Sequence, residues 1–217
     1  MRKFITTPEV EVIGISALSL MQNLKTEELQ PILDKYHLTT IEPDQWYPFQ
    51  FHLDIFREIA EGHVNNSENL IAIGMKAAQL APLSPNIKTF EDLLKNYNAA
   101  YRMTIRNQPP GDEFLIEFLS AGHVQITNNS PLPDNMTFGA FWRFARRLLP
   151  PGTHFLIRPS KVIAPNTDES TVFDVTWNVE SQARHVGRSG MSGQLHLNSK
   201  DFKQVSLAPG SSEASAF

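Results

Sequence analysis

Residues 130–155, SPLPDNMTFGAFWRFARRLLPPGTHF, predict one amphipathic helix between two turns. Asp134 and Asn135 are residue types that favour turns and helix N-caps, so one of them is expected to cap a helix starting near Thr137. Pro150 should end this helix, because proline lacks the amide hydrogen that another turn requires. The predicted core face comprises Phe138, Phe141, Trp142, Ala145, Leu148 and Leu149, and the other side carries Arg143, Arg146 and Arg147.

Alternating apolar residues on both sides of this helix predict antiparallel strands. The runs 114–118 and 124–126 alternate and are separated by a turn at 120–123, which indicates a hairpin. After the helix, the runs 154–158 and 173–177 alternate in the same way. We therefore expect the helix to lie on a sheet that the later strands complete.

Five helical segments are predicted before the hairpin, after a strand-like alternation beginning at Val10. The segment from Trp46 to Gly62 has the strongest aromatic pattern, and the last segment runs from Thr89 to Arg106. The starts of the five segments are placed after Gly14 and at Thr26, Trp46, Ser67 and Thr89. Helices first and an antiparallel sheet later predict an α+β fold with N-terminal helices packed on a C-terminal sheet.

Length and composition indicate one domain, residues 1–180, followed by a flexible extension, residues 181–217. The 217 residues are 41% hydrophobic, which is enough to close a core. The extension is rich in glycine and serine, and only residues 193–198, GQLHLN, have the alternation of a further strand. Its basic cluster, Arg184, His185 and Arg188, is interpreted as a solvated part of the extension.

Charge and cysteine content exclude several classes of function. A net charge of -4 gives no general attraction to nucleic acid. Without cysteine there is no disulfide, no thiolate nucleophile and no cysteine-ligated zinc. The sequence shows neither a signal peptide nor an uninterrupted apolar stretch of membrane-spanning length. We expect a cytoplasmic protein that binds no nucleic acid and does not insert into a membrane.

The order of helices, hairpin, central helix and closing strand FDVTW (173–177) resembles a superfamily of ligand-binding domains. It includes haem-nitric-oxide-binding (H-NOX) domains, vinyl-reductase-type small-molecule-binding domains and TRAPP vesicle-tethering subunits. The resemblance covers residues 8–180. It implies an H-NOX/TRAPP-like fold in which helices and sheet can enclose an apolar pocket, and in which helix-mediated dimers also occur.

The resemblance also implies a test for haem, because H-NOX domains supply a histidine ligand from the helix before the hairpin and a Tyr-x-Ser-x-Arg motif for the propionates. The corresponding helix here, 89–106, contains Tyr97 and Tyr101 but no histidine, and no tyrosine of the chain starts that motif. His52 is another candidate ligand, although a hydrogen-bonded core histidine is the commoner use of such a residue. We expect no haem bound in the H-NOX manner.

No metal site or catalytic group is predicted. The loop 161–172 has Asp168 and Glu169 but neither cysteine nor histidine, and oxygen ligands alone make poor zinc sites. No nucleophile, phosphate-loop or dinucleotide motif occurs in the expected structural context. Asp54 and Glu58 stand four apart on a helix, a spacing that is more typical of a solvated face than of a catalytic pair. We expect no cofactor, no metal and no enzymatic activity.

The remaining chemistry is aromatic. The candidate ligand-binding residues are Trp46, Phe49, Phe56, Tyr97, Tyr101, Phe138, Phe141 and Trp142. Such rings suit a small apolar ligand, although filling the core is the commoner use of aromatic side chains. We therefore predict a non-catalytic sensory or signalling module that binds an apolar ligand between helices and sheet and acts on an unidentified protein partner. A TRAPP-like homodimeric scaffold without ligand is the alternative, and a haem-based gas sensor with atypical ligation comes third.

A homodimer is predicted from one helix surface. The segment that starts at Ser67 carries a flat stripe of mostly small residues: Leu70, Ile73, Gly74, Ala77 and Ala81. Small residues allow helices to approach closely, and symmetric dimers are the commonest soluble oligomers. The alternative, packing of the stripe within one chain against the Trp46 helix, is left open by the sequence.

Overall fold

The computed structural model describes residues 3–21, 26–61, 66–161 and 170–179. The predictions for the extension 181–217 therefore lie outside the described residues, as does most of the loop 161–172 with Asp168 and Glu169. The elements are β1 (Glu11–Ile13), α1 (Gly14–Met21), α2 (Thr26–Lys35), β2 (Trp46–Pro48), α3 (Phe49–Glu61), α4 (Asn66–Leu80), α5 (Phe90–Thr104), β3 (Ile105–Arg106), β4 (Phe114–Ser120), β5 (His123–Asn128), α6 (Asp134–Leu148), β6 (Phe155–Lys161) and β7 (Thr171–Trp177). The predicted α+β class is confirmed.

The principal sheet is antiparallel and has the strand order β4-β5-β7-β6. Ile126 lies opposite Ile116 on one side and Phe173 on the other, so the alternating apolar residues form one continuous inner face. A smaller antiparallel sheet, β2-β1-β3, joins the N-terminal helices to the end of α5. The predicted hairpin and closing strands are therefore present.

Two helix starts differ from the sequence prediction. The Trp46 segment begins as strand β2, and its helix starts only at Phe49, because residues 46–48 pair with β1. Helix α6 starts at Asp134 instead of near Thr137, and its N-cap, Pro133, has no side-chain cap. The Asp134 carboxylate accepts instead from Asn128 Nδ2 at 2.8 Å and from Thr171 Oγ1 at 2.6 Å, so it ties the helix to β5 and β7.

Helices α4 and α6 pack in close backbone contact. A Cβ built on Gly74 would lie 1.9 Å from the Met136 carbonyl oxygen, and one built on Gly139 would lie 2.1 Å from that of Ile71. Leu70 and Ile73 of the small-residue stripe are buried in the same chain. The stripe is thus an internal packing surface, and the prediction that it forms a dimer interface is wrong.

A homodimer stays a prediction, but it requires a different surface. Sedimentation at micromolar concentration is expected to show a species of twice the 24.5 kDa chain mass. A 24.5 kDa species at every concentration tested would reject the dimer.

None of the helices in the described ranges is long and apolar enough to cross a membrane.

Candidate functional site

The interior between α5, α6 and β4 is filled by a five-ring cluster: Tyr97, Tyr101, Phe114, Phe141 and Phe144. Tyr97 lies 4.6 Å from Phe141 and 5.0 Å from Phe114 between ring centroids, and Tyr101 lies 5.3 Å from Phe114. These are distances of direct ring contact. Three of the predicted ligand residues, Tyr97, Tyr101 and Phe141, therefore lie in one cluster. Tyr97 contacts Phe141 directly, and all three rings contact Phe114.

The two phenols of this cluster are held in their neutral form. Burial raises the pKa of Tyr97 and of Tyr101 well above the usual range of tyrosine. The Tyr101 hydroxyl is buried and has no hydrogen-bond partner among the residues that the structure describes. A phenolate ligand is therefore disfavoured at both positions.

The other predicted ligand residues lie in different places. Trp46 is in the small sheet, where the Arg106 guanidinium lies 4.4 Å from its ring centroid. Phe49 and Phe56 are buried on α3, and Phe138 is half-buried on α6. The structure therefore spreads the eight residues over several locations. That any of them contacts a ligand stays a prediction.

The arginine side of α6 also differs from the sequence prediction. Trp142 is half-buried and not in the core, with its ring 5.8 Å from that of Phe155, whereas Phe144 is buried. Arg143 is half-buried, and its Nε has no partner within the described ranges. Arg147 donates to the carbonyl oxygens of Ala78 at 3.1 Å and Ala81 at 2.8 Å, so it satisfies the C-terminal end of α4.

Asp54 is a structural carboxylate, although its spacing from Glu58 suggested a solvated face. It is only 8% exposed and accepts from Lys35 Nζ at 2.5 Å, Tyr36 Oη at 2.8 Å and Gln50 Nε2 at 2.9 Å. Burial acts to raise the pKa of Asp54, but these donors outweigh it and hold the pKa below the ordinary value. The carboxylate joins α2 to α3 and is saturated with donors.

His52 is a fully buried histidine enclosed by phenylalanines. Its ring stacks on Phe56 at 5.0 Å and meets Phe49 edge-on at 5.9 Å, and its Nδ1 has no partner in the described part of the chain. Burial lowers the pKa of His52 from 6.5 to about 3. The imidazole is thus neutral at physiological pH. Its Nδ1 lacks the hydrogen bond that the sequence prediction of a hydrogen-bonded core histidine implied.

This histidine predicts a pH-dependent stability. Below pH 6.5 the unfolded chain takes up a proton at His52 that the folded chain does not, so stability is present above pH 6.5 and is lost as the pH falls towards 3. Between about pH 7 and about pH 5 the expected loss is about 2 kcal/mol. Urea denaturation at both pH values measures it. His52→Phe should lose much less over that interval, and an equal loss in both proteins would contradict the assignment.

A groove of about 520 Å³ lies beside the ring cluster, where α5 crosses the edge strand β4. Its apolar wall comprises Leu94, Phe114, Ile116 and Phe118, and its polar rim includes Lys95, Asn98, Glu113 and Asn129. The groove is open to solvent. Local patterning in the sequence predicts the strand 114–118 but not this groove, because nothing local shows which helix covers which strand.

Asn98, on the rim of this groove, forms two hydrogen bonds with the backbone of β4. Its Nδ2 donates to the Phe114 carbonyl oxygen at 2.6 Å, and its Oδ1 accepts from the Phe114 amide at 3.0 Å. The side chain thus pairs with the outer edge of β4 as a neighbouring strand would. No cluster of three or more metal-ligating side chains occurs in the described part of the chain.

Helices covering one face of a four-stranded antiparallel sheet define an α+β module. Comparison with solved structures shows which α+β fold this is. An H-NOX protein from S. oneidensis in the Fe(II)NO ligation state is 10% identical, with a TM-score of 0.55 over 76% of this chain and 99% of that chain. A mutant of the unliganded Fe(II) H-NOX protein from K. algicida is 13% identical, with a TM-score of 0.55 over 76% and 96%. A mutant of the H-NOX protein from T. tengcongensis is 9% identical, with a TM-score of 0.51 over 76% and 94%.

The chain therefore has the H-NOX fold. No protein-family model matches the sequence, and no curated protein matches it. The TRAPP and vinyl-reductase parts of the resemblance stay predictions.

Proposed function

We propose that this chain is a non-catalytic sensory or signalling module of the H-NOX fold that works without haem. The likeness to H-NOX structures supports the sensory part of this proposal, and the five-ring cluster between α5, α6 and β4 supports the absence of haem. The rings of Tyr97 and Phe141, one from each helix, are 4.6 Å apart. A planar macrocycle between two rings would hold them roughly 7 Å apart, which is twice the usual contact distance. The interior is closed at this point by the protein's own side chains.

The residues of α5 do not fit haem either. The resemblance to H-NOX domains implies a histidine on this helix, and the residues that the helix contributes to the five-ring cluster are Tyr97 and Tyr101. Both phenols are held neutral by burial, as described above, whereas a tyrosine that ligates haem iron does so as the phenolate. We therefore assign no chemistry of this chain to a haem group.

Purified protein is expected to show no Soret band and no stoichiometric iron or zinc, before or after incubation with haemin. Absorbance spectroscopy and elemental analysis measure this, with a haem-binding H-NOX domain treated in parallel as the positive control. A stoichiometric Soret-absorbing complex in this chain would overturn the proposal in favour of a gas sensor with atypical ligation.

Binding of a small apolar ligand is the second candidate function, and the groove of about 520 Å³ beside α5 favours it. Its volume is within the range of ligand pockets, and four apolar side chains form its wall. Mass spectrometry of a solvent extract from the same preparation tests this candidate. A stoichiometric apolar compound in the extract would support ligand binding. An extract without such a compound would contradict it and favour a module whose interior is filled by its own side chains.

A further inference from the structure

The outer edge of β4 carries backbone groups that the described residues leave unpaired. In an antiparallel strand, successive residues direct their N–H and C=O groups alternately to the two neighbouring strands. Phe114 directs its groups away from β5, because both bond to the Asn98 side chain. Ile116 and Phe118 therefore do the same, and neither has a hydrogen-bond partner on that side within the described ranges.

The side chains beside these groups form an apolar wall. Leu94 of α5, Ile116 and Phe118 line the groove of about 520 Å³, and Phe118 is 42% exposed. Edges of this kind are normally covered, because they otherwise pair with other chains. A small apolar compound would contact the wall but leave the backbone groups of Ile116 and Phe118 to water. An extended peptide satisfies both the wall and the backbone groups.

Glu117 sets the charge of the residue that fits between these two positions. Its side chain is on the other face of the sheet, together with that of Leu115, which is 51% exposed. The Glu117 carboxylate is exposed and has no ion-pair or hydrogen-bond partner among the described residues. A lysine or arginine directly opposite would form a favourable cross-strand pair, with its aliphatic stem on Leu115. An acidic residue there would be repelled.

We propose that this edge binds an extended segment of a partner protein, of apolar-basic-apolar sequence, as an added antiparallel strand. The first apolar residue lies opposite Phe118, the basic residue opposite Glu117 and the second apolar residue opposite Ile116. Both apolar side chains then enter the groove beside Leu94, and the backbone of the segment pairs with that of β4. The segment ends before Phe114, whose edge the Asn98 side chain already occupies.

The position of α5 favours an isolated segment over a second copy of this chain. Helix α5 overhangs the edge of β4, because the Asn98 amide occupies the place of a neighbouring strand and Lys95 Nζ lies 5.6 Å from the Phe118 ring centroid. Two copies paired through β4 would each bring this helix to the same junction, where the paired strands lie only about 4.8 Å apart. A peptide segment brings no such helix.

This site deepens the proposed signalling function, on which it rests for the statement that the segment belongs to a partner protein. The two fail separately. A stoichiometric Soret band would overturn the haem-free module and leave the edge of β4 as it is. Absence of peptide binding would overturn the docking site and leave the assignment of a haem-free module unchanged.

NMR titration of the full chain with the acetylated and amidated peptide Ser-Val-Lys-Val-Ser tests the site. The amide signals of Ile116 and Phe118 are expected to shift saturably, with a Kd of roughly 1 mM or tighter, whereas that of Val124 in the central strand β5 shifts little. Methylation of both valine amide nitrogens removes the donors that face β4. It should weaken binding by roughly tenfold or more.

Charge reversal tests the basic residue of the segment. The peptide Ser-Val-Glu-Val-Ser should bind the natural chain roughly fivefold more weakly than the lysine peptide, and Glu117→Lys should reverse this preference. Glu58→Lys makes the same charge change at an exposed position of α3 and should leave the preference as it is in the natural chain.

Three results would overturn the proposal. The first is an Ile116 amide that shows no saturable shift at about 10 mM peptide. The second is equal affinity for the methylated peptide, or a preference for lysine that survives Glu117→Lys. The third is an Ile116 amide already protected from hydrogen exchange in the free protein. Protection that rises with protein concentration would assign the edge to a second copy, and protection at every concentration would show that the chain itself covers it.

Discussion

Replacing Phe141 with alanine is expected to lower the free energy of unfolding by about 3–5 kcal/mol. Phe141 is fully buried, and its ring lies 4.6 Å from Tyr97 and 5.8 Å from Phe114. The substitution removes the apolar contacts of a large ring and leaves a cavity at the junction of α5, α6 and β4. Collapse of that cavity is limited because its walls belong to three different elements.

Trp142→Ala is the matched control, since it removes an even larger ring from the next position of the same helix. Trp142 is half-buried at the edge of the core, where its ring lies 5.8 Å from that of Phe155, so its loss should cost about 1–2 kcal/mol. Urea denaturation followed by circular dichroism compares the two variants. Equal midpoints would show that the core face of α6 is misassigned.

Gly74→Ala is expected to cost about 3 kcal/mol, although alanine is intrinsically the better helix former. The added Cβ would lie 1.9 Å from the Met136 carbonyl oxygen and 2.9 Å from the Ala140 amide nitrogen. Both neighbours are backbone atoms of α6, so no side chain can rotate away, and the two helices must separate. The same argument applies to Gly139, which faces the backbone of Ile71.

Ala72→Ser serves as the control for Gly74→Ala. Ala72 is on the exposed side of α4, and its substitution should change the free energy of unfolding by less than about 0.5 kcal/mol. Thermal denaturation of both variants is the measurement. A Gly74→Ala protein as stable as the control would show that α4 and α6 are not in backbone contact.

The order and type of the elements followed from local signals in the sequence. Thr89 and Asp92 form the capping box that starts α5, as expected from a threonine opening an apolar helical repeat. The alternation in 114–118, 124–126 and 173–177 gave the strands, since one buried face imposes a period of two. These signals depend on neighbours in the chain, which is why they could be read without a structure.

The differences from the sequence prediction arise from contacts between separate secondary-structure elements. Asp134 is an N-cap type of residue, but donors from β5 and β7 engage its carboxylate instead. The small-residue stripe was compatible with a dimer or with internal packing. The close contact of Gly139 in α6 with the backbone of α4 shows that the stripe packs internally. Trp142 and Phe144 both fit the apolar pattern of α6, and only the position of the sheet shows which ring is enclosed.

The sequence by itself determined the α+β class, the hairpin, the central helix and the absence of cysteine and of a histidine on α5. Those features depend on composition and local periodicity. Only the tertiary structure decided that Tyr97 meets Phe141, that Asn98 occupies the edge of β4 at Phe114, and that a groove remains beside Ile116. The physical reason is that each of these contacts joins residues 16 or more positions apart, and their meeting depends on how α5 lies on the sheet.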